Sequence, residues 1–205
     1  MVAACESALT DGVSATLSSG FHHAARDRGH NHCLFNGLAI AMLEMQKRGI
    51  VQMLHIDLDA HCGGGTYSLM KDVSGYHQVD VSLFWTDKYI PTEPCTLDIV
   101  DESGDYIRVV SNRLEELEPR VSEFQLCVYY AGMDPHEGSA FGGLPGIDST
   151  MLRQRDRLIL ETVRKCGVPC AIALGGGYLG PGLDREGLVG LHRSTIEIAA
   201  SLYEP

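Results

Sequence analysis

Four stretches of this sequence carry side chains able to do chemistry. In His55-Ile-Asp57-Leu-Asp59-Ala-His61 the residues Asp57, Asp59 and His61 alternate, so in extended chain they point to one face. Carboxylates and an imidazole at that spacing make a partial site for a divalent metal; a polar strand end with solvated acids is the plainer reading. In Tyr129-Tyr-Ala-Gly-Met-Asp134-Pro-His136 the carboxylate of Asp134 either supplies a third ligand or opens an Asx turn before Pro135. Gly20-Phe-His22-His23 holds a tandem histidine, an acid/base pair or two exposed loop residues. Leu174-Gly-Gly176-Gly177-Tyr178 lets backbone approach a ligand closely and ends on a phenol. Its spacing matches neither a dinucleotide fingerprint nor a P-loop. Taken together, these groups are what metal-assisted hydrolysis needs. A metal polarises a carbonyl and acidifies water, a histidine takes the water's proton, and a tyrosine hydroxyl donates to the oxyanion.

Such groups act together only if the chain brings them to one edge. Val13–Leu17, Val51–Asp57, Val79–Phe84, Gln125–Tyr130 and Val168–Leu174 are short, mostly apolar runs and read as strands. Helical periodicity marks Leu34–Arg48 with Gly49 as its stop, Asn112–Glu123 with Pro119 as an interruption, Ser149–Cys166, and Asp184–Tyr203. Apolar strands alternating with helices predict an α/β fold, an open parallel sheet with helices on both faces. Ligands then bind beyond the carboxyl ends of the strands, where the four stretches fall. The whole chain, 1–205, reads as a single domain.

Composition narrows the partners. The 205 residues carry 27 acidic and 16 basic side chains, a formal net charge of −11, which disfavours nucleic acid or an anionic membrane as partner and tolerates a cationic amine. The seven cysteines fit no zinc-ribbon spacing; Cys166 and Cys170 read as small buried hydrophobes rather than a metal pair. No signal-peptide pattern and no apolar run near the ~20 residues of a membrane span is present, so a cytoplasmic location is expected.

With those motifs in hand, the chain resembles the zinc-dependent histone deacetylase family, which includes bacterial acetylpolyamine amidohydrolases. The resemblance rests on five motifs in the family's order. These are His22-His23, Cys33-Leu-Phe-Asn36, Asp57-Leu-Asp59-Ala-His61, Ala131-Gly-Met-Asp134 and Gly175-Gly176-Gly177-Tyr178. The Met-Asp-Pro-His-Glu form and the Gly-Gly-Leu-Pro-Gly after it look most like bacterial relatives of the class IV enzymes. The resemblance implies an arginase/deacetylase-like fold and hydrolysis of an N-acyl amine: acetyl-lysine, an acetylated polyamine or a small metabolite. It implies Zn2+, with Fe2+ as the alternative, on Asp59, His61 and Asp134. His22 and His23 would be the acid/base pair, Asp57 the partner of His22, and Tyr178 the oxyanion donor. A structural K+ or Na+ would lie at Asp57, Asp59, His61, Ser82 and Leu83. Asn31, His32, Gly176 and Gly177 would line the substrate.

Four departures qualify that picture. Cys62 stands where the family usually has a second histidine. Gly64 stands where it has Asp or Asn, so His23 is expected to lack its orienting group. Asn31 and His32 replace a Gly-Phe pair of the acyl-lysine tunnel. The histidine pair also comes early, so the family's first strands and rim loops are expected to be missing and a second copy of the chain to cover the bare edge, giving a homo-oligomer. The competing expectation is a catalytically degenerate relative that keeps zinc and binds acylated ligands or a partner chain.

Overall fold

The computed structural model describes residues 1–203. Six strands, β1 (Val13–Thr16), β2 (Met53–Asp57), β3 (Tyr76–Ser82), β4 (Thr96–Ile99), β5 (Leu126–Gly132) and β6 (Cys170–Gly175), form one sheet in the order β1-β6-β5-β2-β3-β4. Every pairing is parallel. The helices are α1 (Val2–Asp11), α2 (Gly37–Lys47), α3 (Gly64–Met70), α4 (Ser103–Val121), α5 (Ser149–Lys165) and α6 (Arg185–Tyr203). This is the α/β arrangement that the strand rhythm predicts.

Alternation along the buried strands sorts side chains between two cores. Leu54, Ile56, Val79, Val81, Cys127, Tyr129 and Ile172 pack with α4, α5 and α6 on one face. Met53, Tyr76, Leu126, Val128, Tyr130 and Ala171 pack with α1, α2 and α3 on the other. On that second face the carboxyl halves of β2 and β3 turn polar: His55, Asp57, Gln78, Asp80 and Ser82 are all buried. From β2 the chain moves outward through β3 and β4, then returns to place β5 on the other side of β2. The carboxyl ends of β2 and β5 therefore flank the topological switch point, where such sheets open a crevice.

Several boundaries differ from the periodicity. The structure adds α1, whose buried side are the small Ala4, Cys5 and Ala8 and therefore gives a weak pattern. It also adds β4, a four-residue edge strand. Helix α2 starts at Gly37 because Asn36 caps it, its side chain accepting from the Ala39 amide at 2.9 Å; Leu34 and Phe35 stay outside and exposed. Helix α4 starts nine residues before Asn112 and runs through Pro119 to Val121. Its buried stripe of Tyr106, Val110, Leu114 and Val121 holds the last turn together without the proline's amide. A further short helix, α3, opens inside the glycine run Gly63–Gly65.

Candidate active site

Asp59 and His61 follow β2, and Asp134 follows β5 across the switch point. Both carboxylates are almost fully buried. His61 Nδ1 lies 3.0 Å from Asp59 Oδ1 and 3.0 Å from Asp134 Oδ2. One ligand atom from each residue lies within 4.8 Å of the others, close enough for one ion to touch all three. Glycines make the approach possible: a Cβ at Gly132 would meet Asp59 Cα at 2.5 Å, and one at Gly176 would fall on Asp134 Oδ1. The Gly177 amide donates to the same oxygen. Both Gly176 and Gly177 have positive φ, 67° and 81°, which glycine adopts without strain.

The charges in this cluster are strained towards a cation. Burial and the charge of Asp59 push Asp134 up to about 6. Burial works against a proton on His61, yet the hydrogen bonds to Asp134 and Asp59 outweigh it and push the imidazole up to about 10. Two hard oxygen donors and one imidazole are a donor set for zinc or iron(II), and they fit: the ligand atoms already converge.

Beside the cluster, the rings of His22 and His23 lie 4.1 Å apart, both buried. His22 Nδ1 sits 2.8 Å from Asp57 Oδ2, and its Nε2 faces Asp59 Oδ1 at 3.7 Å. Desolvation opposes charge on His22, but Asp57 and Asp59 overcome it and raise the group to about 9; Asp57 in turn is held below the usual carboxylate range, the nearby His22 overriding burial. The same Asp57 oxygen faces His55 Nε2 at 3.7 Å. His23 differs: burial lowers it, against a hydrogen bond to Asp87. The two adjacent imidazoles are thus shifted in opposite directions.

The expectation that His23 lacks an orienting group does not hold. Asp87 Oδ2, from the segment after β3, lies 3.2 Å from His23 Nδ1. The physical reason is Gly64: a Cβ there would land on the Asp87 carbonyl oxygen and 2.9 Å from its Cγ. Each glycine of the run has its own task. A Cβ at Gly63 would strike Asp57, and one at Gly65 the His22-His23 backbone. That backbone is further held by Asn36, whose Nδ2 donates to His22 O, Ala24 O and Thr66 Oγ1 at 3.3, 3.1 and 3.0 Å.

A cavity of about 190 Å³ opens over the cluster, lined by His23, Asn31, His32, His61, Thr86, Phe141 and Tyr178. Asn31 and His32 both take positive φ, 43° and 64°, which is uncommon for residues with a Cβ. Tyr178 is half-buried, its phenol pushed up to about 12 by burial and the charges of Asp134 and Asp59, so it stays a donor at neutral pH. Its amide donates to Ser139 Oγ at 3.1 Å, and its ring meets Phe141 edge-on at 5.2 Å.

The structure thus brings Asp59, His61, Asp134, His22, His23, Asp57, Tyr178, Asn31, His32, Gly176 and Gly177 to one edge. Ser82 and Leu83 lie deeper, at the end of β3. The Ser82 hydroxyl donates to Asp80 Oδ1 at 2.5 Å rather than to Asp57. Asp80, paired in register with Asp57 and raised to about 8 by burial and by the charge of Asp57, carries no motif of its own, and neither does Asp87. Sequence reading also misses Arg155, wholly buried on α5. Its Nε and Nη2 meet Asp156 Oδ1 at 2.8 and 2.7 Å, and its Nη1 donates to Leu58 O and Gly132 O at 3.1 and 2.7 Å. These are carbonyls of the two segments that carry Asp59 and Asp134.

A parallel sheet whose switch point holds two carboxylates, an imidazole, a histidine pair and a tyrosine defines a deacetylase-like scaffold. The sequence matches the histone deacetylase domain over residues 1–186, and the chain belongs to that family. It is 33% identical over 183 residues to an uncharacterized protein of Picosynechococcus, covering 83% of this chain and 58% of the relative. It is 30% identical over 210 residues to a probable deacetylase of Methanothermobacter thermautotrophicus, covering 90% and 59%. The fold matches the crystal structure of an acetylpolyamine aminohydrolase from Burkholderia pseudomallei with a TM-score of 0.77 at 19% identity, covering 98% of this chain and 60% of that one. The chain thus spans a little under three-fifths of the two curated relatives.

Proposed function

We propose that the chain is a metal-dependent amidohydrolase that cleaves an N-acyl amine such as acetyl-lysine, an acetylated polyamine or a small acylated metabolite. The observation that carries this reading is the convergence of Asp59, His61 and Asp134 beside the His22-His23 pair, under a cavity lined by His23, His61 and Tyr178. Asp59, His61 and Asp134 would hold zinc, or iron(II) in its place. When bound, the ion supplies Lewis acidity towards the acyl carbonyl and acidifies water.

The protein's own groups do the rest. Neutral His23 takes a proton from the attacking water at Nε2 and returns it to the leaving nitrogen, so C–N cleavage releases a neutral amine. His22, hydrogen-bonded through Nδ1 to Asp57, faces the negative charge that develops beside it. The Tyr178 hydroxyl donates to the oxyanion and keeps its own proton. Asn31, His32, Gly176 and Gly177 shape the mouth for the substrate. A structural K+ or Na+ at Asp57, Asp59, His61, Ser82 and Leu83 suits the adjoining buried carboxylates of Asp57 and Asp80. The apolar side chains of Leu17, Val189 and Ile196 beside β1 and α6 suit cover by a second copy; light scattering showing a monomer would overturn that part. Among the described residues no helix is long and apolar enough to cross a membrane.

Asp59→Ala, His61→Ala and Tyr178→Phe, assayed on an acetyl-lysyl peptide, N-acetylputrescine and N-acetylated small amines, test the proposal. Turnover undiminished in all three variants would overturn it. The carboxylate at His23 supports the enzyme reading over the binding-only alternative, which would show instead as tight binding of acylated amines by a zinc-loaded chain without turnover.

A further inference from the structure

We infer that Asp87 is the positioning residue of His23, and that Gly64 is glycine so that the Asp87 segment can reach it. The inference rests on the amidohydrolase reading for its catalytic meaning, though its geometry stands apart from it. Asp87 reaches the histidine from a loop beyond β3, 64 residues along the chain, while its counterpart Asp57 reaches His22 from the end of β2. The two imidazoles, side by side, are thus gripped at Nδ1 by carboxylates from neighbouring strand ends.

The Asp87 carboxylate is fixed from several sides. Its Oδ2 accepts from the Gly65 amide at 2.9 Å as well as facing His23 Nδ1. Its Oδ1 faces Arg28 Nη2 at 3.9 Å, and its side chain is only 9% exposed. Its backbone is turned left-handed, φ 60°, by the turn in which the Lys88 amide donates to Trp85 O at 3.1 Å, and the next carbonyl, Thr86 O, accepts from the Cys62 amide at 3.0 Å. Left-handed backbone is uncommon outside glycine, with Asp and Asn among the residues that bear it best. Because Nδ1 of His23 meets an acceptor, the proton of its neutral ring sits on Nδ1 and the Nε2 lone pair is left free. The partner of one ring nitrogen decides which of the two carries the proton. Without Asp87 the ring would be free to turn or to move its proton to Nε2, and Nε2 would no longer be a base.

Two substitutions separate the roles without forcing the backbone. Asp87→Gly removes the carboxylate where φ 60° suits glycine. Asp87→Asn keeps an acceptor, because the Gly65 amide holds the carbonyl oxygen on the His23 side and the NH2 takes the other position, where the largely exposed Arg28 is free to turn away. The measurements are long-range 1H–15N correlation spectra of the histidine rings in the zinc-loaded chain, assigned with His23→Gln, together with kcat and KM on an N-acetyl-lysyl coumarin amide. Wild type and Asp87→Asn should both show His23 protonated at Nδ1. Asp87→Gly should lose that state, and its kcat should fall ~10- to 100-fold, the usual effect of losing a supporting hydrogen bond, with KM and zinc content unchanged. Retention of the Nδ1–H form in Asp87→Gly, its loss in Asp87→Asn, or a kcat within about twofold of wild type in Asp87→Gly would overturn the assignment. If wild type turns over no acylated amine, the amidohydrolase reading fails, and the ring spectra still decide whether Asp87 orients His23.

Discussion

Replacing Arg155 with methionine probes how the segments carrying Asp59 and Asp134 are held. The guanidinium is fully buried and makes an ion pair with Asp156 while donating to the carbonyls of Leu58, one residue before Asp59, and Gly132, two before Asp134. Methionine of similar length fills the space but donates nothing. Asp156 would keep the Tyr129 hydroxyl at 2.6 Å and the Thr195 hydroxyl at 2.6 Å, so its charge would be hydrogen-bonded but no longer neutralised. Removing one member of a buried pair costs about 3–5 kcal/mol, which contains the loss at the two carbonyls rather than adding to it. For a chain of this size each kcal/mol moves Tm by about 2–4 °C, so a fall of roughly 6–20 °C is expected. Denaturant unfolding of the metal-free chain measures the stability, and competition with a chelating dye measures zinc affinity, which should weaken as Asp59 and Asp134 lose their fixed backbone. Arg155→Met/Asp156→Asn, which removes the orphaned charge, should recover part of the stability. A single variant within about 1 kcal/mol of wild type, or a double variant no better than the single, would refute the reasoning.

Zinc must displace the proton that His61 holds up to about 10. Apparent affinity should therefore climb about tenfold per pH unit from 6.5 to 8, with one proton released per ion by calorimetry in two buffers; a flat profile would contradict it. Below about 6 the proton on Asp134 should steepen the slope. Gly176→Ala places a methyl group on Asp134 Oδ1 at a backbone φ of 67°, and equilibrium dialysis should show zinc binding lost while the far-ultraviolet circular dichroism is retained. Gly64→Ala should push the Asp87 segment away and reproduce the His23 ring spectrum of Asp87→Gly. Asn36→Ala removes a cap and three buried donor bonds behind the histidine pair; a loss of about 2–3 kcal/mol should appear in urea unfolding, and a change under about 0.5 kcal/mol would refute it.

What the sequence discloses follows from how local each signal is. Asp59, His61, Asp134 and the histidine pair sit in short runs on the loops that follow strands, so periodicity places the runs and the parallel-sheet rule places the candidate site. Asp134 lies 73 residues from His61, yet both follow apolar strands, and that suffices to put them on one edge. Asp87 eludes such reading because its role depends on a tertiary approach that only Gly64 permits; the missing acid shows in the sequence and its replacement does not. Asp80 and Arg155 are hidden for the opposite reason. Each is a charged residue within an otherwise regular strand or helix, and only packing reveals that it faces inward. The start of α4 is obscured because Ser103–Ser111 mixes polar residues with a single buried stripe, so its helical face emerges only against β3 and α5.

The sorting of side chains between the two faces of the sheet bears on how this protein can change. In β2 the even positions, Leu54 and Ile56, lie in the core under α4, α5 and α6, while the odd positions His55 and Asp57 are buried polar groups on the other face. Point substitutions within one parity class can therefore drift without touching the other, and a lineage can retune its heat tolerance or its chemistry separately. A deletion of one residue ahead of Asp57 would exchange the classes at a stroke, since a one-residue slip flips every side chain. The strand, buried along its whole length, accepts conservative replacement within a class and is intolerant of a change in length, and variation in its homologues should be richer in the first than in the second.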